Sequence, residues 1–251
     1  MVGVCVVTGY GINAEEELCE AFRRAGGWVR EQHLHDLLEN PALLAGYRIL
    51  AIPGGFSFGD HLGSGKVSAF LLRRNLLVQL LAFVADGGLV IGICNGFQVL
   101  VKSGLLPDLQ NRQLPEVSLV HNDNGIFQDR WVTIRANPEN RSPWLRGIGA
   151  IDVPVRHGEG RFVTANNRIR TVLHKMNLTA FRYEGANPNG SEDDIAGITD
   201  RTGRILGMMP HPEAFLASTN HPHWNRSAVD AEAAGAVFRN GVEFVAASGF
   251  E

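Results

Sequence analysis

The chain has 251 residues, of which 45% are hydrophobic and 20% are charged, and its net charge is −3 at pH 7. This composition is typical of a globular protein with a large core, and the slight negative charge argues against nucleic-acid binding. No apolar segment is long enough to span a membrane, and the first residues read as a strand rather than a signal peptide. With three cysteines and no Cys-x-x-Cys pair, the sequence predicts a cytoplasmic protein without a disulfide framework or a zinc site.

The first half alternates apolar, β-branched runs with amphipathic segments. A buried parallel strand is predicted at residues 2–8, further strands are predicted at 28–33 and 47–52, and another buried strand is predicted at 89–93. Helices are predicted over 14–25, capped by Asn13, and as one long segment over 68–86. Strands that alternate with helices indicate an α/β fold: an open, mostly parallel, doubly wound sheet flanked by helices.

The second half has shorter strands, separated by turns rich in glycine, asparagine and proline. They are predicted at residues 118–121, 131–135, 151–156, 161–163, 179–183, 195–199 and 205–208. The last two flank a short polar turn, so they predict an antiparallel hairpin added to the parallel sheet. A helix is predicted over 229–247. Because no linker-like stretch interrupts the pattern, residues 1–251 are expected to form one domain.

Cys94 is the main candidate for a catalytic residue. It directly follows the apolar run 89–93, and it lies between Gly92 and Gly96 in a G-x-C-x-G pattern. This is the thiol form of the nucleophile elbow, a sharp turn from strand to helix that presents the reactive side chain above a sheet. The N-terminus of the following helix would favour the thiolate. The alternative is a small core residue, which is the commoner role of a cysteine after an apolar strand, although a core position has no need of the flanking glycines.

A cysteine nucleophile needs a base, and the base needs a group that orients it. His211 and Glu213 follow the strand 205–208 between two prolines. If this stretch is extended, both side chains lie on one side, so that Glu213 reaches one ring nitrogen while the other faces Cys94. The alternative is a surface loop. Oxyanion donors are available from the backbone N–H of Asn95, after the nucleophile, and from the glycine pair at 54–55, which could also be a plain turn.

Other polar motifs carry weaker signals. The glycine-rich segment 54–65 precedes a lysine, but its spacing and the following Val67 do not match a phosphate-binding loop. The turn at 157–160 has glycines that would let its backbone approach a ligand, or it is only a hairpin loop. The histidine pairs at 33 and 35 and at 221 and 223 lack a third ligand at a metal-binding spacing, so no metal site is predicted.

Taken together, residues 92–98 and 210–213 resemble the class I (triad) glutamine amidotransferases. Four further segments resemble the glutaminase part of phosphoribosylformylglycinamidine synthase, an enzyme of purine synthesis: residues 52–60, 157–162, 187–191 and 207–213. The resemblance runs from about Gly9 to Arg239, and the joint occurrence of the motifs is highly specific. The tail at 220–224 is longer than in the shortest members of the family and resembles the fused, single-chain enzyme.

The resemblance implies that Cys94 attacks the side-chain amide of glutamine, that His211 moves protons and that Glu213 orients it. Gly55 and Asn95 would then be the oxyanion donors. Substrate-binding positions carried over from the family are Gly54, Phe56, Gln98, His157, Gly158 and Glu159. The resemblance also implies a large synthetase subunit as partner, with a small accessory subunit. ATP and Mg would be used by that partner, and this chain itself would carry no cofactor.

Three other functions fit parts of the sequence. A glutaminase that serves another acceptor would not need the segments at 54–60 and 157–160. A cysteine-elbow hydrolase or chaperone of similar fold would lack the His-x-Glu after a C-terminal strand. A regulatory subunit with an inactive site is disfavoured, because all three triad residues are present.

Overall fold

A computed structural model describes residues 1–249 of the chain. These residues form eleven β-strands and seven α-helices. The strands are β1 (Gly3–Thr8), β2 (Trp28–His33), β3 (Ile49–Ile52), β4 (Leu89–Ile93), β5 (Val117–Val120), β6 (Gln128–Ala136), β7 (Ala150–His157), β8 (Arg161–Thr164), β9 (Thr179–Glu184), β10 (Ile195–Thr199) and β11 (Ile205–Met208). The helices are α1 (Glu15–Arg24), α2 (Leu34–Glu39), α3 (Lys66–Asn75), α4 (Leu77–Ala85), α5 (Asn95–Lys102), α6 (Asn167–Lys175) and α7 (Ala231–Ala247). The expected single domain ends at residue 251, beyond the described residues, and the assignment of one domain stays a prediction.

Nine strands form one sheet in the order β2-β1-β3-β4-β11-β10-β9-β6-β7, and β5 and β8 form a separate antiparallel pair. Along this order, each neighbouring pair among β2, β1, β3, β4 and β11 is parallel. Each neighbouring pair among β11, β10, β9, β6 and β7 is antiparallel. This confirms the predicted α/β class, with a parallel sheet in the first half and added antiparallel strands in the second. The hairpin between β10 and β11 is also confirmed.

The strand order positions the site. Strand β4 lies between β3 and β11, and it is parallel to both. The carboxyl ends of parallel neighbours meet at one edge of a sheet, where α/β proteins bind ligands. The segments that follow β3, β4 and β11 carry Gly54, Cys94 and His211, so the sheet brings them together. Gly207 keeps β11 close to α5, because a Cβ there would lie 2.1 Å from the ring of Phe97.

Two predicted helix features are wrong. The segment predicted as one helix over 68–86 is two helices, α3 and α4, which are bent by 75°. Leu76 leaves the helical conformation at the bend (φ −127°), and its side chain is buried in the core, so the break lets both helices keep an apolar face inward. Asn13 does not cap α1: the cap position is Ala14, and the backbone N–H groups of Asn13 and Ala14 donate to the carbonyl of Gly54.

Within residues 1–249 no single helix has both the length and the hydropathy to cross a membrane, although the bent pair α3–α4 passes the same test when the two are taken together.

Candidate active site

Cys94 occupies a sharp turn between β4 and α5. Its backbone has φ 52° and ψ −104°, a strained conformation for a residue with a side chain and the one found at nucleophile elbows. The flanking glycines let the backbone of the elbow pack closely against neighbouring carbonyl groups. A Cβ at Gly96 would lie 2.0 Å from the carbonyl oxygen of Ile52, and one at Gly92 would lie 2.6 Å from the carbonyl oxygen of Gly96. These contacts explain why the G-x-C-x-G spacing predicts the elbow.

The sulfur of Cys94 lies at the N-terminus of α5, where the helix dipole favours a thiolate. The residue is 5% exposed. Its thiol donates to the carbonyl oxygen of Arg156 at 3.6 Å, and its own N–H donates to the carbonyl of Met208 at 2.8 Å. The second bond fixes the elbow to the end of β11, which leads to His211.

His211 and Glu213 form a buried pair behind the nucleophile. Nδ1 of His211 lies 2.6 Å from Oε1 of Glu213, and both side chains are almost completely buried. The predicted extended geometry is wrong, because residues Pro212–Ala214 form a 3₁₀ turn that curls the carboxylate back to the ring. The predicted contact is nevertheless present. The backbone N–H of His211 donates to the carbonyl of Pro154 at 2.9 Å, which holds the histidine against β7.

The other ring nitrogen, Nε2 of His211, is buried and has no hydrogen-bond partner within residues 1–249. The ring and Cys94 meet above Gly54, where a Cβ would lie 2.7 Å from Cε1 of His211 and 3.5 Å from Cβ of Cys94. Burial lowers the pKa of His211, but Glu213 and Cys94 outweigh it and raise the pKa to about 10. His211 therefore carries a proton on both ring nitrogens beside Cys94.

The loop after β3 is tied to the elbow by Asn95. Its side-chain oxygen accepts from the N–H of Ser57 at 3.2 Å, and its amide nitrogen donates to Oε1 of Gln98 at 2.9 Å. The backbone N–H of Asn95 is at the first position of α5, so no carbonyl one turn earlier is available to it. Gly55 has φ 142°, and a Cβ there would lie 2.7 Å from Cα of Ile12, so this position requires glycine.

A cavity of about 250 Å³ opens above Cys94. Eight of the predicted site residues line it: Gly55, Phe56, Cys94, Gln98, His157, Gly158, Glu159 and His211. The other three, Gly54, Asn95 and Glu213, lie behind these residues and support them through the contacts described above. A cavity of this size, smaller than the roughly 300–1,000 Å³ typical of drug-sized ligands, suits a molecule the size of an amino acid.

The turn at 157–160 is built around a buried, neutral histidine. Nδ1 of His157 lies 3.2 Å from Oδ1 of Asn122, and Nε2 lies 3.4 Å from Nδ2 of Asn189. Burial, together with the nearby charge on His211, lowers the pKa of His157 to about 4. A Cβ at Gly160 would lie 2.3 Å from the ring, so the glycine allows the tight turn. Both ring nitrogens are engaged by the protein, which leaves the backbone of the turn to face the cavity.

Glu159 connects the turn to its neighbours. One carboxylate oxygen accepts from the N–H of Ser64 at 3.2 Å and lies 3.8 Å from Nζ of Lys102. The carbonyl of Glu159 accepts from Nε2 of Gln98 at 2.6 Å. The carboxylate is thus committed to holding the glycine-rich loop in place. The roles assigned to the individual site residues stay predictions.

Besides Asp129, two charged residues of the cavity wall were not predicted from the sequence. Asp60 presents a buried carboxylate oxygen, Oδ1, that has no hydrogen-bond partner among residues 1–249. Arg156 places its guanidinium beside His211. Each adjoins a motif that the sequence did reveal: Asp60 closes the segment 52–60, and Arg156 directly precedes the turn at 157–160. Within residues 1–249, no group of three or more histidine, cysteine, aspartate or glutamate side chains is arranged to hold a metal ion.

Comparison with known proteins agrees with this geometry. Residues 1–245 match the model of the CobB/CobQ-like glutamine amidotransferase domain. The phosphoribosylformylglycinamidine synthase subunit PurQ of Dehalococcoides mccartyi is 39% identical over 241 residues, which is 93% of this chain and 94% of the relative. The PurQ subunit of Methanococcus maripaludis is 40% identical over 233 residues, which is 88% of this chain and 85% of the relative.

A solved structure agrees as well. A chain in the structure of PurLQS from Thermotoga maritima matches with a TM-score of 0.75 and 27% identity, over 97% of this chain and 99% of that chain. The resemblance predicted from the motifs is therefore confirmed. The chain belongs to the CobB/CobQ-like glutamine amidotransferases and, within them, to the family of the PurQ subunits of phosphoribosylformylglycinamidine synthase.

Proposed function

We propose that this chain hydrolyses L-glutamine to glutamate and ammonia through a thioester on Cys94. The ammonia is passed to a synthetase subunit that makes formylglycinamidine ribonucleotide in purine biosynthesis. The observation that carries the chemistry is the strained elbow of Cys94 beside the buried pair of His211 and Glu213, in a cavity of about 250 Å³. The similarity to PurQ subunits over nearly the whole chain supports the assignment of this synthetase as the user of the ammonia.

In the first half of the reaction, His211 is an imidazolium that holds the proton of Cys94 on Nε2, and the Cys94 thiolate attacks the side-chain amide carbon of glutamine. The negative charge that develops on the amide oxygen is stabilised by the backbone N–H groups of Gly55 and Asn95. His211 then gives its proton to the leaving nitrogen, and ammonia departs as the thioester forms. Glu213 keeps the second proton on Nδ1 and stabilises the imidazolium between these transfers.

In the second half, His211 takes a proton from a water molecule that attacks the thioester carbon. The same N–H groups hold the oxyanion, and its collapse breaks the carbon–sulfur bond, releases glutamate and returns the proton to Cys94.

The amino-acid end of glutamine is held on the opposite wall. Gln98 and the backbone of His157, Gly158 and Glu159 contact it, and Phe56 covers the side chain. The carboxylate of Asp60 contacts the α-ammonium group, because its Oδ1 is buried, lines the cavity and has no partner among residues 1–249.

The partners follow from the family. The chain acts in the cytoplasm as a single-domain subunit and joins a large synthetase subunit, with a small accessory subunit. The T. maritima assembly PurLQS is a relative of this kind. ATP and Mg are used by the synthetase, while this chain carries no cofactor of its own.

The test is glutamate release from glutamine by the pure chain, with and without the synthetase subunit, ATP and formylglycinamide ribonucleotide. We expect release that depends on Cys94 and rises with the loaded partner. Cys94→Ala should abolish glutamine-dependent synthesis and leave ammonia-dependent synthesis intact. Cys19→Ala is the matched control, because it removes a buried thiol on α1, outside the cavity. Turnover that persists in Cys94→Ala, or none in the complete complex, contradicts the proposal.

A further inference from the structure

Arg156 is the charged residue nearest to the triad that the mechanism above does not use. It lies near the end of β7, and its side chain is 35% exposed at the cavity wall. Nη2 lies 2.8 Å from Oε2 of Glu17 on α1, and Nη1 lies 3.4 Å from Oε1 of the same carboxylate. Nη2 also lies 3.3 Å from Nδ1 of His211. One guanidinium thus touches both a helix outside the triad and the catalytic histidine.

The contact between Arg156 and His211 is not an ordinary hydrogen bond. Nδ1 of His211 lies only 2.6 Å from the carboxylate of Glu213, so it carries a proton and donates that proton to Glu213. Nη2 of Arg156 carries only donors, and it therefore faces a second donor. What remains between the two groups is the electrostatic effect of a fixed positive charge.

That charge acts on both members of the catalytic pair. A cation beside the pair favours the thiolate of Cys94 and disfavours a second positive charge on His211. The effect is reciprocal: burial alone lowers the pKa of Arg156, but Glu17, Glu213 and Cys94 outweigh it and raise the pKa. Glu17 neutralises part of the guanidinium charge and so works in the opposite direction.

The titratable groups around the pair, Arg156 included, come from the segment after β11, from β7, from α1 and from the loops of the cavity wall. They are Glu213, His157, Arg156, Glu17, Asp60 and Asp129. His157 is neutral near pH 7, because its pKa is about 4. Within residues 1–249, Arg156 is the only arginine or lysine that lines the cavity.

We infer that Arg156 is a positioning residue that sets the charge balance of the Cys94–His211 pair, and that Glu17 moderates it from α1. The ion pair couples a partly exposed helix position, 41% exposed at Glu17, to the reactivity of the buried nucleophile. This inference rests on the proposed function of Cys94. A purely structural link between α1 and β7 would instead change stability and leave the nucleophile unaffected.

The test is the pH dependence of Cys94 alkylation by iodoacetamide, measured by mass spectrometry on the full chain. Burial raises the pKa of Cys5 and of Cys19 to about 12, so the label reports Cys94 below pH 9. Arg156→Gln should move the midpoint of the profile up by about one pH unit, because it removes a partly solvated charge next to the pair. Glu17→Gln should move the midpoint down by about half a unit, and Arg156→Lys should restore most of the wild-type profile.

The double variant tests whether the shifts are electrostatic. Because the fields of two charges add, Glu17→Gln should lower the midpoint by a similar amount in the wild-type and Arg156→Gln backgrounds. Glu16→Gln is the matched control, because Glu16 is exposed on the same helix and the substitution removes the same charge. Its profile should match that of the wild type.

Two outcomes overturn the inference: an unchanged midpoint in Arg156→Gln, or an unchanged midpoint in Glu17→Gln. Thermal unfolding of each variant shows whether the chain has folded. Glu17→Gln, whose midpoint should move down, keeps the test decisive if Arg156→Gln does not fold. The proposed function fails in a different way, namely if glutamate release persists in Cys94→Ala or is absent from the complete complex.

Discussion

The neutral state of His157 predicts a specific loss of stability in acid. Its ring is 2% exposed, and its two nitrogens face a fixed acceptor on Asn122 and a fixed donor on Asn189. A proton added to Nε2 would face the amide donor of Asn189 and leave a buried charge without a partner. This environment lowers the pKa of His157 from 6.5 to about 4, with burial as the largest cause.

The sign and size of this stability change follow from the linkage between protonation and folding. The pKa of His157 is lower in the folded chain than in the unfolded chain, so the unfolded chain binds the extra proton between pH 6.5 and pH 4. The stabilisation is therefore complete above pH 6.5 and is lost as the pH falls toward 4. A difference of this size corresponds to about 3 kcal/mol in the free energy of unfolding. His211 adds nothing to this slope, because its raised pKa makes its contribution change only between pH 6.5 and about pH 10.

The assay is urea denaturation at intervals from pH 7.5 to pH 4, for the wild type and for His157→Gln. The variant is expected to be less stable at pH 7.5. As the pH is lowered to 4, its free energy of unfolding should decrease by about 3 kcal/mol less than that of the wild type. Using the difference between the two slopes removes the contributions of the other carboxylates and histidines. Parallel curves for the two proteins would refute the assignment of a buried, neutral His157.

Three further predictions concern the site. Glu213→Gln should lower kcat for glutamine hydrolysis about 10²- to 10⁴-fold with little change in KM, because the amide cannot stabilise the imidazolium of His211; an unchanged kcat contradicts the triad. Gly96→Ala should destabilise the chain by about 3 kcal/mol or more in urea denaturation, because the new methyl group would lie 2.0 Å from the carbonyl oxygen of Ile52. A variant as stable as the wild type would show that the elbow packs less tightly against β3. Asp60→Asn should raise KM for glutamine about 10- to 100-fold at a similar kcat, and an unaffected KM would remove Asp60 from the substrate site.

Much of the fold and of the triad is encoded in local patterns. The bounds of β2, β4, β10 and β11 equal the predicted ones. Strands β4, β10 and β11 are short apolar or β-branched runs bounded by turn residues, whereas β2 is a polar, partly exposed edge strand that begins directly after a glycine pair. The elbow at Cys94 was predictable because its glycines leave a fixed spacing in the sequence. The contact between His211 and Glu213 was predicted correctly, but from an extended geometry that is wrong. A spacing of two residues also fits a 3₁₀ turn, and the prolines and the packing against β7 decide between the two conformations.

Features that depend on distant segments could not be predicted. The break at Leu76 has no local signal, because leucine is a good helix former and neither flanking helix contains glycine or proline; only the position of the core selects it. The helices α2 and α6 are short and were missed for lack of a long periodic pattern. The pairing of Arg156 with Glu17 joins residues 139 positions apart, and the path of β7 across the sheet decides which way Arg156 points.

The position of β11 beside β4 also affects how the chain becomes reactive during synthesis. The four strands β2, β1, β3 and β4 can pair as soon as residue 93 has emerged, and they leave β4 as an open edge with Cys94 at its end. The base of that cysteine follows 117 residues later, after β11 has closed the edge. A nascent or truncated chain therefore carries a thiol without its histidine. Nucleophilic reactivity and the protection of an aggregation-prone strand edge are acquired in the same late folding step.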